Sequence, residues 1–217
     1  MMQILFRDEN ILVVDKPAGL STLSEGWDRD APYLAKILEE QFGKIWVVHR
    51  IDKSTSGVVV FAMTPEAHRH LNIQFEKREV GKVYHAILGG VPAWGEKTAK
   101  FPLRVNVGHK HRTMVDDRRG VRSETRFKVR ERYHSSALVE AVPLTGRTHQ
   151  IRVHAYALGH PLLGDILYSA PETDTIARPA LHAYRLAFTH PQTGKMTAFH
   201  ADYPDDFQKA LGSLRGR

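Results

Sequence analysis

The sequence has no cysteine among its 217 residues. This absence excludes disulfide bonds, cysteine-ligated zinc and thiol catalysis. No apolar run approaches the length of a membrane span, and acidic residues interrupt the N-terminus before a signal-like apolar stretch can form. We therefore expect a soluble, cytoplasmic protein with no membrane partner.

Several motifs of common enzyme classes are also missing. There is no Walker loop and no dinucleotide fingerprint, so a nucleotide cofactor has no support. Ser56 and His49 are candidates for a hydrolase pair, but the Gly-x-Ser-x-Gly elbow is absent around Ser56. We expect no cofactor.

The 13 histidines raise the question of a metal site. The pairs at 68/70 and 109/111 would share a ligand face only on a strand, and the first pair lies in a predicted helix. His149 and His154 fall on different sides of either a helix or a strand, and no carboxylate pattern accompanies them. The sequence predicts no metal.

What the sequence does have is an excess of positive charge. It contains 31 Lys and Arg against 24 Asp and Glu, a net charge of +7. This balance suits a polyanionic partner such as nucleic acid, although many proteins are basic for solubility alone. The apolar fraction of 42% is ordinary for a globular chain with a sizeable core.

Strand patterns outnumber helix patterns along the chain. Strands are predicted at 4–6, 11–14, 46–49, 57–63, 82–88, 113–115, 121–133, 137–142, 181–189 and 195–200. Helices are predicted at 33–42, 64–78, 148–158 and 205–211, with Thr64 and Thr148 as N-caps. A hairpin is expected around 116–120. We expect an α+β fold with a mainly antiparallel mixed sheet and a few flanking helices, in a single domain over 1–217.

Asp52 lies directly after a predicted strand, in the loop sequence Asp-Lys-Ser-Thr-Ser-Gly. One interpretation is that its carboxylate initiates a turn by accepting hydrogen bonds from main-chain amides. The other is that a carboxylate at a strand end projects into a cleft and does chemistry there. The loop composition alone favours the turn.

A second polar cluster runs from Gly146 to His154. Arg147 precedes a predicted helix, where helix amides favour a negative charge. A buried carboxylate needs such a partner to stay ionised, so Asp52 and Arg147 are a candidate pair. The alternative is a capped amphipathic helix with solvated charges.

Two strands carry further candidates. On 82–88, Lys82, Tyr84 and Ala86 share a face, and Tyr84 can either stack on a flat ring or belong to the core. On 122–133 the even positions are basic except for Glu124, with Arg126, Lys128 and Arg130 at the centre. That face can contact phosphates or can be the solvated side of an antiparallel strand.

Together these segments resemble the RluA family of pseudouridine synthases. Residues 49–57 read His-Arg-Ile-Asp-Lys-Ser-Thr-Ser-Gly, against the family signature His-Arg-Leu-Asp-x-x-Thr-Ser-Gly, with Ile51 as the one departure. The segments at 15–20, 82–86 and 145–154 are similar to further elements of the family. The resemblance covers nearly the whole chain, except that 94–119 has no match.

The resemblance implies a pseudouridine synthase catalytic fold with a central cleft, and an enzyme that isomerises uridine to pseudouridine in structured rRNA or tRNA, or both. It implies that Asp52 is the essential aspartate, either attacking the nucleoside or removing a sugar proton. Tyr84 would stack on uracil and help move the ring-carbon proton, Arg147 would pair with Asp52, and Ile151 would press on the base.

Arg50 would fill the gap that the flipped-out base leaves. Further candidates for RNA contacts are Lys16, Arg152 and the basic positions 126, 128 and 130. The catalytic pattern starts almost at Met1, so we expect a stand-alone catalytic domain without an S4 RNA-binding domain, acting as a monomer. The alternative is a non-catalytic RNA-binding protein that retains the scaffold.

Overall fold

The structure, a computed structural model, describes residues 2–24, 31–108, 112–170 and 173–216. Its strands are β1 (Gln3–Arg7), β2 (Ile11–Lys16), β3 (Trp46–Val47), β4 (Ser56–Ala62), β5 (Gly81–Gly89), β6 (Glu96–Ala99), β7 (Leu103–Val107), β8 (Arg112–Val115), β9 (Thr125–Arg132), β10 (Ser136–Pro143), β11 (Leu181–Thr189) and β12 (Met196–His200). Its helices are α1 (Leu34–Phe42), α2 (Pro65–Glu76), α3 (Gln150–Ala157) and α4 (Asp205–Arg215), with a 3₁₀ turn at Ile166–Tyr168. The predicted α+β class is confirmed.

The chain packs as two compact units. Unit 1 consists of Met1–Lys82 and Ala183–Asp202, and unit 2 consists of Val83–His182 and Tyr203–Arg217. Each unit has a hydrophobic core of its own, and each is described by itself below. Asp52 belongs to unit 1, whereas Tyr84, Arg147 and Ile151 belong to unit 2.

In unit 1 the strands follow the order β1-β2-β4-β11, and β3 and β12 pair with β4 and β11. The pairings of β1 with β2, β2 with β4 and β11 with β12 are antiparallel. Ile11, Val13, Val58 and Val60 point to one face because side chains alternate along a strand, and they pack against Leu71 of α2. Helix α2 begins as predicted: the Thr64 hydroxyl accepts the Ala67 N–H at 3.1 Å, and proline occupies the first turn.

In unit 2 the order is β5-β10-β9-β6, with antiparallel pairings. The two faces of this sheet bury different helices. Tyr84, Ala86 and Leu88 of β5 pack in one cluster with Ile151 of α3. Ile87, between them in sequence, packs in a second cluster with α4. Strand alternation therefore places Tyr84 on the α3 side.

Two local predictions in unit 2 are wrong. The strand at 113–115 does not form a hairpin with the strand that follows it, because β8 pairs with β7, which was not predicted, and β9 pairs with β10 and β6. Thr148 is not the N-cap of α3. That position is held by His149, whose backbone is left-handed (φ 54°) and whose side chain makes no capping bond.

Candidate active site

The loop that carries Asp52 connects β3 to β4 in unit 1, and its main chain is held at three successive carbonyls. The Thr22 hydroxyl donates to the Ile51 carbonyl oxygen at 3.1 Å. The Thr55 N–H donates to the Asp52 carbonyl oxygen at 3.0 Å, and the Gly19 N–H to the Lys53 carbonyl oxygen at 2.8 Å. Asp52 itself is half-buried, and Arg50 is exposed. The loop therefore presents a carboxylate from a fixed backbone.

Lys16 does not fit the predicted RNA contact. Its side chain is fully buried, and Nζ donates to the carbonyl oxygens of Pro17 (2.9 Å), Leu20 (2.7 Å) and Lys53 (3.2 Å). These three acceptors match the three N–H donors of an ammonium group. Because all three donors of the buried ammonium group bond to carbonyl oxygens of the protein, the structure contradicts the predicted contact of Lys16 with a phosphate. The bond to the Lys53 carbonyl oxygen places Lys16 beside the loop of Asp52.

Gly57 brings the motif against a neighbouring strand. Its φ of 115° lies in the region that favours glycine, and a Cβ there would come 2.2 Å from the Ala183 carbonyl oxygen. Any side chain at this position would collide with main-chain atoms. The closing glycine of the motif is therefore needed for the close approach of β4 and β11.

In unit 2, Tyr84 and Ile151 belong to one hydrophobic cluster. Tyr84 is half-buried, lies opposite Ala141 in the β5–β10 register, and packs against the cluster that contains Ile151. An aromatic ring and an aliphatic side chain are both suited to packing on the face of a planar base. Whether they enclose a base stays a prediction.

Arg147 is exposed in the turn that leads into α3, and a buried glutamine shapes this turn. Gln150 Oε1 accepts the Arg147 N–H (3.1 Å) and the Thr145 hydroxyl (2.6 Å), while its Nε2 donates to the Glu124 carbonyl oxygen and the Thr125 hydroxyl, both at 2.9 Å. All four hydrogen-bonding positions of the amide are thereby used. No sequence motif indicated this role for Gln150.

Arg152 is also not available for a phosphate contact. Its Nε and Nη2 donate to the two carboxylate oxygens of Asp165 at 2.7 and 2.8 Å, and both residues are buried. The guanidinium carbon lies 5.1 Å from the ring centre of Tyr168. The Tyr168 hydroxyl in turn accepts the Thr113 N–H and contacts His149 Nδ1, both at 3.0 Å. Arg152 therefore anchors α3 inside unit 2, which contradicts the predicted contact.

The predicted basic face on β9 is present. Arg126, Lys128 and Arg130 are exposed, and the residues between them point inward. Two of them have acidic neighbours: Lys128 Nζ lies 2.9 Å from Glu96, and Arg130 Nη1 lies 3.6 Å from Glu140. Exposed pairs of this kind are weak, so a phosphate can replace the carboxylate at small cost. Contact with RNA stays a prediction for all three.

The described parts of the chain contain no group of three or more His, Asp or Glu residues that could hold a metal ion. His109 and His111 lie outside the described residues. His68 and His70 lie on α2, as expected, where successive even positions do not share a face. No described helix is both long and apolar enough to span a bilayer.

The chain is similar to known proteins over nearly its full length. The family model of RNA pseudouridylate synthase matches residues 10–157. The dual-specificity RNA pseudouridine synthase RluA of Haemophilus influenzae is 37% identical over 202 residues, 92% of this chain and 92% of that protein. The protein of the same name from Escherichia coli K12 is 38% identical over 206 residues, 94% and 93% of the two chains. The solved structure of human RNA pseudouridylate synthase domain containing 4 has a TM-score of 0.80 and 27% identity, covering 98% of this chain and 92% of that one.

The structural likeness assigns the fold to the pseudouridine synthase domains. The identities over more than nine-tenths of each chain go further: the chain belongs to the RNA pseudouridylate synthase family, and the predicted relation to RluA is confirmed. It is an isomerase that converts uridine to pseudouridine in RNA. Nothing favours the non-catalytic alternative.

Proposed function

We propose that this enzyme uses Asp52 as its essential carboxylate to isomerise flipped-out uridines in structured rRNA or tRNA, or both. The observation that carries the proposal is the backbone at Ile51, Asp52 and Lys53, where each carbonyl is held by a hydrogen bond. Catalytic carboxylates need such fixed placement because small displacements from the productive geometry are costly in rate.

The reaction exchanges one glycosidic bond for another. The bond between ribose C1′ and uracil N1 breaks, the base turns, and a bond from C1′ to C5 forms; C5 loses its proton and N1 gains one. Asp52 serves either as nucleophile at the sugar or as base toward a sugar proton, and both roles require the ionised carboxylate. Atoms balance without an oxidant, a reductant or a cofactor.

The other site residues take supporting roles in this proposal. Arg147 pairs with the carboxylate, Tyr84 stacks on the uracil and helps to move the C5 proton, and Ile151 presses on the base from the side of α3. Arg50, exposed and two residues from Asp52, fills the space left by the extruded base. Extrusion costs about a few kcal/mol, which such a filling side chain offsets in part.

Lys16 and Arg152 act as positioning residues rather than RNA ligands. Lys16 donates to the Lys53 carbonyl beside the catalytic loop, and Arg152 fixes α3 to Asp165 just beyond the Arg147 turn. Each is a buried cation: Lys16 is satisfied by three carbonyl oxygens and Arg152 by the paired carboxylate of Asp165, which is the condition for keeping a charge inside a protein.

The uneven distribution of charge supports RNA contact through unit 2. Of the 31 Lys and Arg residues, 13 lie in unit 1 and 18 in unit 2, whereas the 24 Asp and Glu residues divide into 13 and 11. Unit 1 is therefore neutral, and unit 2 carries the whole net charge of +7. A positive surface of this size favours the phosphate backbone.

The names of the relatives support the proposed range of RNA substrates. Two of them are named dual-specificity RNA pseudouridine synthases, which supports more than one RNA class as substrate. We propose that both units form one catalytic domain over 1–217, and that the enzyme acts as a monomer in the cytoplasm, where rRNA and tRNA are available.

The proposal is tested by mapping pseudouridine in rRNA and tRNA from cells with and without this enzyme. We expect one or a few positions to lose the modification in the deletion strain and regain it when the gene is returned. Purified enzyme should modify the same positions in transcripts. Unchanged maps together with no activity on any transcript would overturn the proposed substrates.

A triple substitution of Arg126, Lys128 and Arg130 by glutamine should weaken RNA binding and flatten its salt dependence. Each phosphate contact contributes about one to the slope of log Kd against log salt concentration, so the slope should fall by about two to three. Filter binding from 50 to 300 mM salt measures it.

The matched control removes three exposed charges from unit 1, at Lys36, Arg69 and Lys77. This variant has the same net charge as the first, so it isolates the position of the charges from their number. We expect its slope to change by less than one. Equal slopes in the two variants would mean that the basic face of β9 is only the solvated side of a strand and does not contact RNA.

A further inference from the structure

His49, the first residue of the Asp-containing motif, stands where β3 leaves the sheet. Strand β3 pairs with β4 for only two residues, Trp46 with Ala62 and Val47 with Phe61. The next amide along β4 belongs to Val60, and its N–H donates to Nε2 of the His49 ring at 3.1 Å. A side-chain nitrogen thus takes the place of the main-chain acceptor that β3 would supply if it continued.

The ring is fixed in one protonation state. A nitrogen that accepts an N–H carries no proton, so His49 is the neutral tautomer with its hydrogen on Nδ1. Burial, assisted by the charge of Lys82, lowers the pKa of His49 to about 3. The acceptor is therefore retained throughout the pH range in which RNA is modified.

The ring is also fixed in orientation. It stacks on Phe75 of α2 with a distance of 4.7 Å between ring centres and 22° between planes. Phe75 packs against the main core of unit 1. One hydrogen bond and one stacking contact thus hold His49 to two different elements.

From His49 the chain reaches Asp52 in three residues. Ile51, between them, is buried, and its carbonyl is held by Thr22. Because the Val60 amide is fully buried, a residue at 49 without an acceptor would leave that N–H unsatisfied and favour a shift of the strand end or of the loop. Such a shift would move the start of the segment that carries the carboxylate.

We propose that His49 is a positioning residue for catalysis: its ring ends the β3–β4 pairing and fixes the point from which the Asp52 loop departs. The inference rests on the proposed role of Asp52. His49 touches neither base nor sugar in this proposal, and its effect is on the placement of the carboxylate.

Three substitutions separate the acceptor from the ring. In His49→Gln the amide oxygen can reach the position of Nε2, in His49→Asn it reaches only that of Nδ1, and His49→Phe keeps a ring that stacks on Phe75 but has no acceptor. We expect kcat to fall at least tenfold in the Phe and Asn variants and no more than about threefold in the Gln variant. RNA Kd should stay within twofold in all three.

Hydrogen exchange at the Val60 amide supplies a second readout. The amide should exchange faster in the Phe variant than in the Gln variant, and ¹⁵N resonances of the wild-type ring should show Nε2 unprotonated and Nδ1 protonated at pH 7. His134→Phe makes the same chemical change at an exposed position and should leave kcat and Val60 exchange unchanged.

Wild-type kcat in the Phe variant, equal losses in the Gln and Phe variants, or a protonated Nε2 would each overturn the inference. If the Phe variant does not fold, the comparison of Gln with Asn and the ring resonances decide. The Asp52→Asn variant tests the proposed function separately from the proposed role of His49. An active Asp52→Asn enzyme removes the proposed function itself, whereas an inactive one beside a fully active His49→Phe enzyme removes only the role of His49.

Discussion

Replacing Asp52 by asparagine is expected to abolish pseudouridine formation while RNA affinity stays within a small factor. Asparagine has the size and shape of aspartate, but it neither attacks a sugar carbon nor accepts a sugar proton. Loss of a general base lowers turnover by about 10² to 10⁴, and loss of a nucleophile lowers it further. Single-turnover modification of a purified RNA and a binding titration on the same RNA measure the two effects.

The structure explains why the loss should be confined to chemistry. The bonds that hold the loop come from the Thr22 hydroxyl, the Gly19 amide and Lys16 Nζ, and all three reach main-chain carbonyls. None of these three bonds depends on the carboxylate, so the loop backbone should keep them in Asp52→Asn, and thermal unfolding of that variant beside the wild type checks this.

The control is the same substitution at Asp117, an exposed aspartate in a turn of unit 2. It removes an equal charge and should leave turnover unchanged. Full activity in Asp52→Asn would exclude both proposed roles of the carboxylate. Equal loss of RNA affinity and turnover would instead make Asp52 a binding residue.

Periodic features of the fold were predictable because they depend on neighbours in sequence. The alternation from Thr125 to Arg130 has a period of two, and the structure exposes the even positions while the odd positions are buried or half-buried. Thr64 followed by proline and glutamate predicts the start of α2 correctly, since an N-cap is completed within a single turn. These elements needed no knowledge of distant partners.

Strand partners were less predictable. The Asp116–Gly120 turn was expected to join β8 to the following strand. In the structure Gly120 N–H closes the turn on the Asp116 carbonyl, and Val121 then exchanges two hydrogen bonds with Leu103. The chain after the turn therefore lies beside β7 rather than β8. The local composition identified the turn. It did not identify the strand that pairs with the chain after the turn, because that pairing depends on residues distant in sequence.

Within the candidate site, the sequence indicated which residues belong near the site better than it indicated the role of each residue. Lys16 and Arg152 both look like cations for phosphate, because lysine and arginine are seldom fully buried. Lys53, 37 residues away, is one of the three acceptors of Lys16, and Asp165, 13 residues away, is the partner of Arg152; sequence spacing does not reveal such contacts. The left-handed backbone of His149 likewise had no signal, since a non-glycine residue adopts it only where its surroundings require it.

The buried ion pair of Arg152 and Asp165 leads to the largest expected effect on stability. Removing one partner leaves a charge in the interior without a counter-charge, which costs about 3–5 kcal/mol. Asp165→Asn and Arg152→Met should each lower the free energy of unfolding by such an amount in urea titrations. The double variant Arg152→Met/Asp165→Leu should recover most of the loss, because an apolar pair requires no desolvation of charge.

The exposed pair of Arg215 and Glu131 provides the matched comparison. Its two bonds, 2.7 and 3.0 Å long, have the same paired geometry as those of Arg152 with Asp165, at 2.7 and 2.8 Å, but its side chains are 55% and 40% exposed rather than 7% and 1%. Glu131→Gln should therefore lower the free energy of unfolding by no more than about 1 kcal/mol. If burial decides the cost of losing a partner, the two pairs must differ severalfold in that cost despite their similar bond lengths. Losses of equal size at both pairs, or additive losses in the Arg152 and Asp165 double variant, would mean that the contribution of Arg152 comes from packing on Tyr168 and not from its charge.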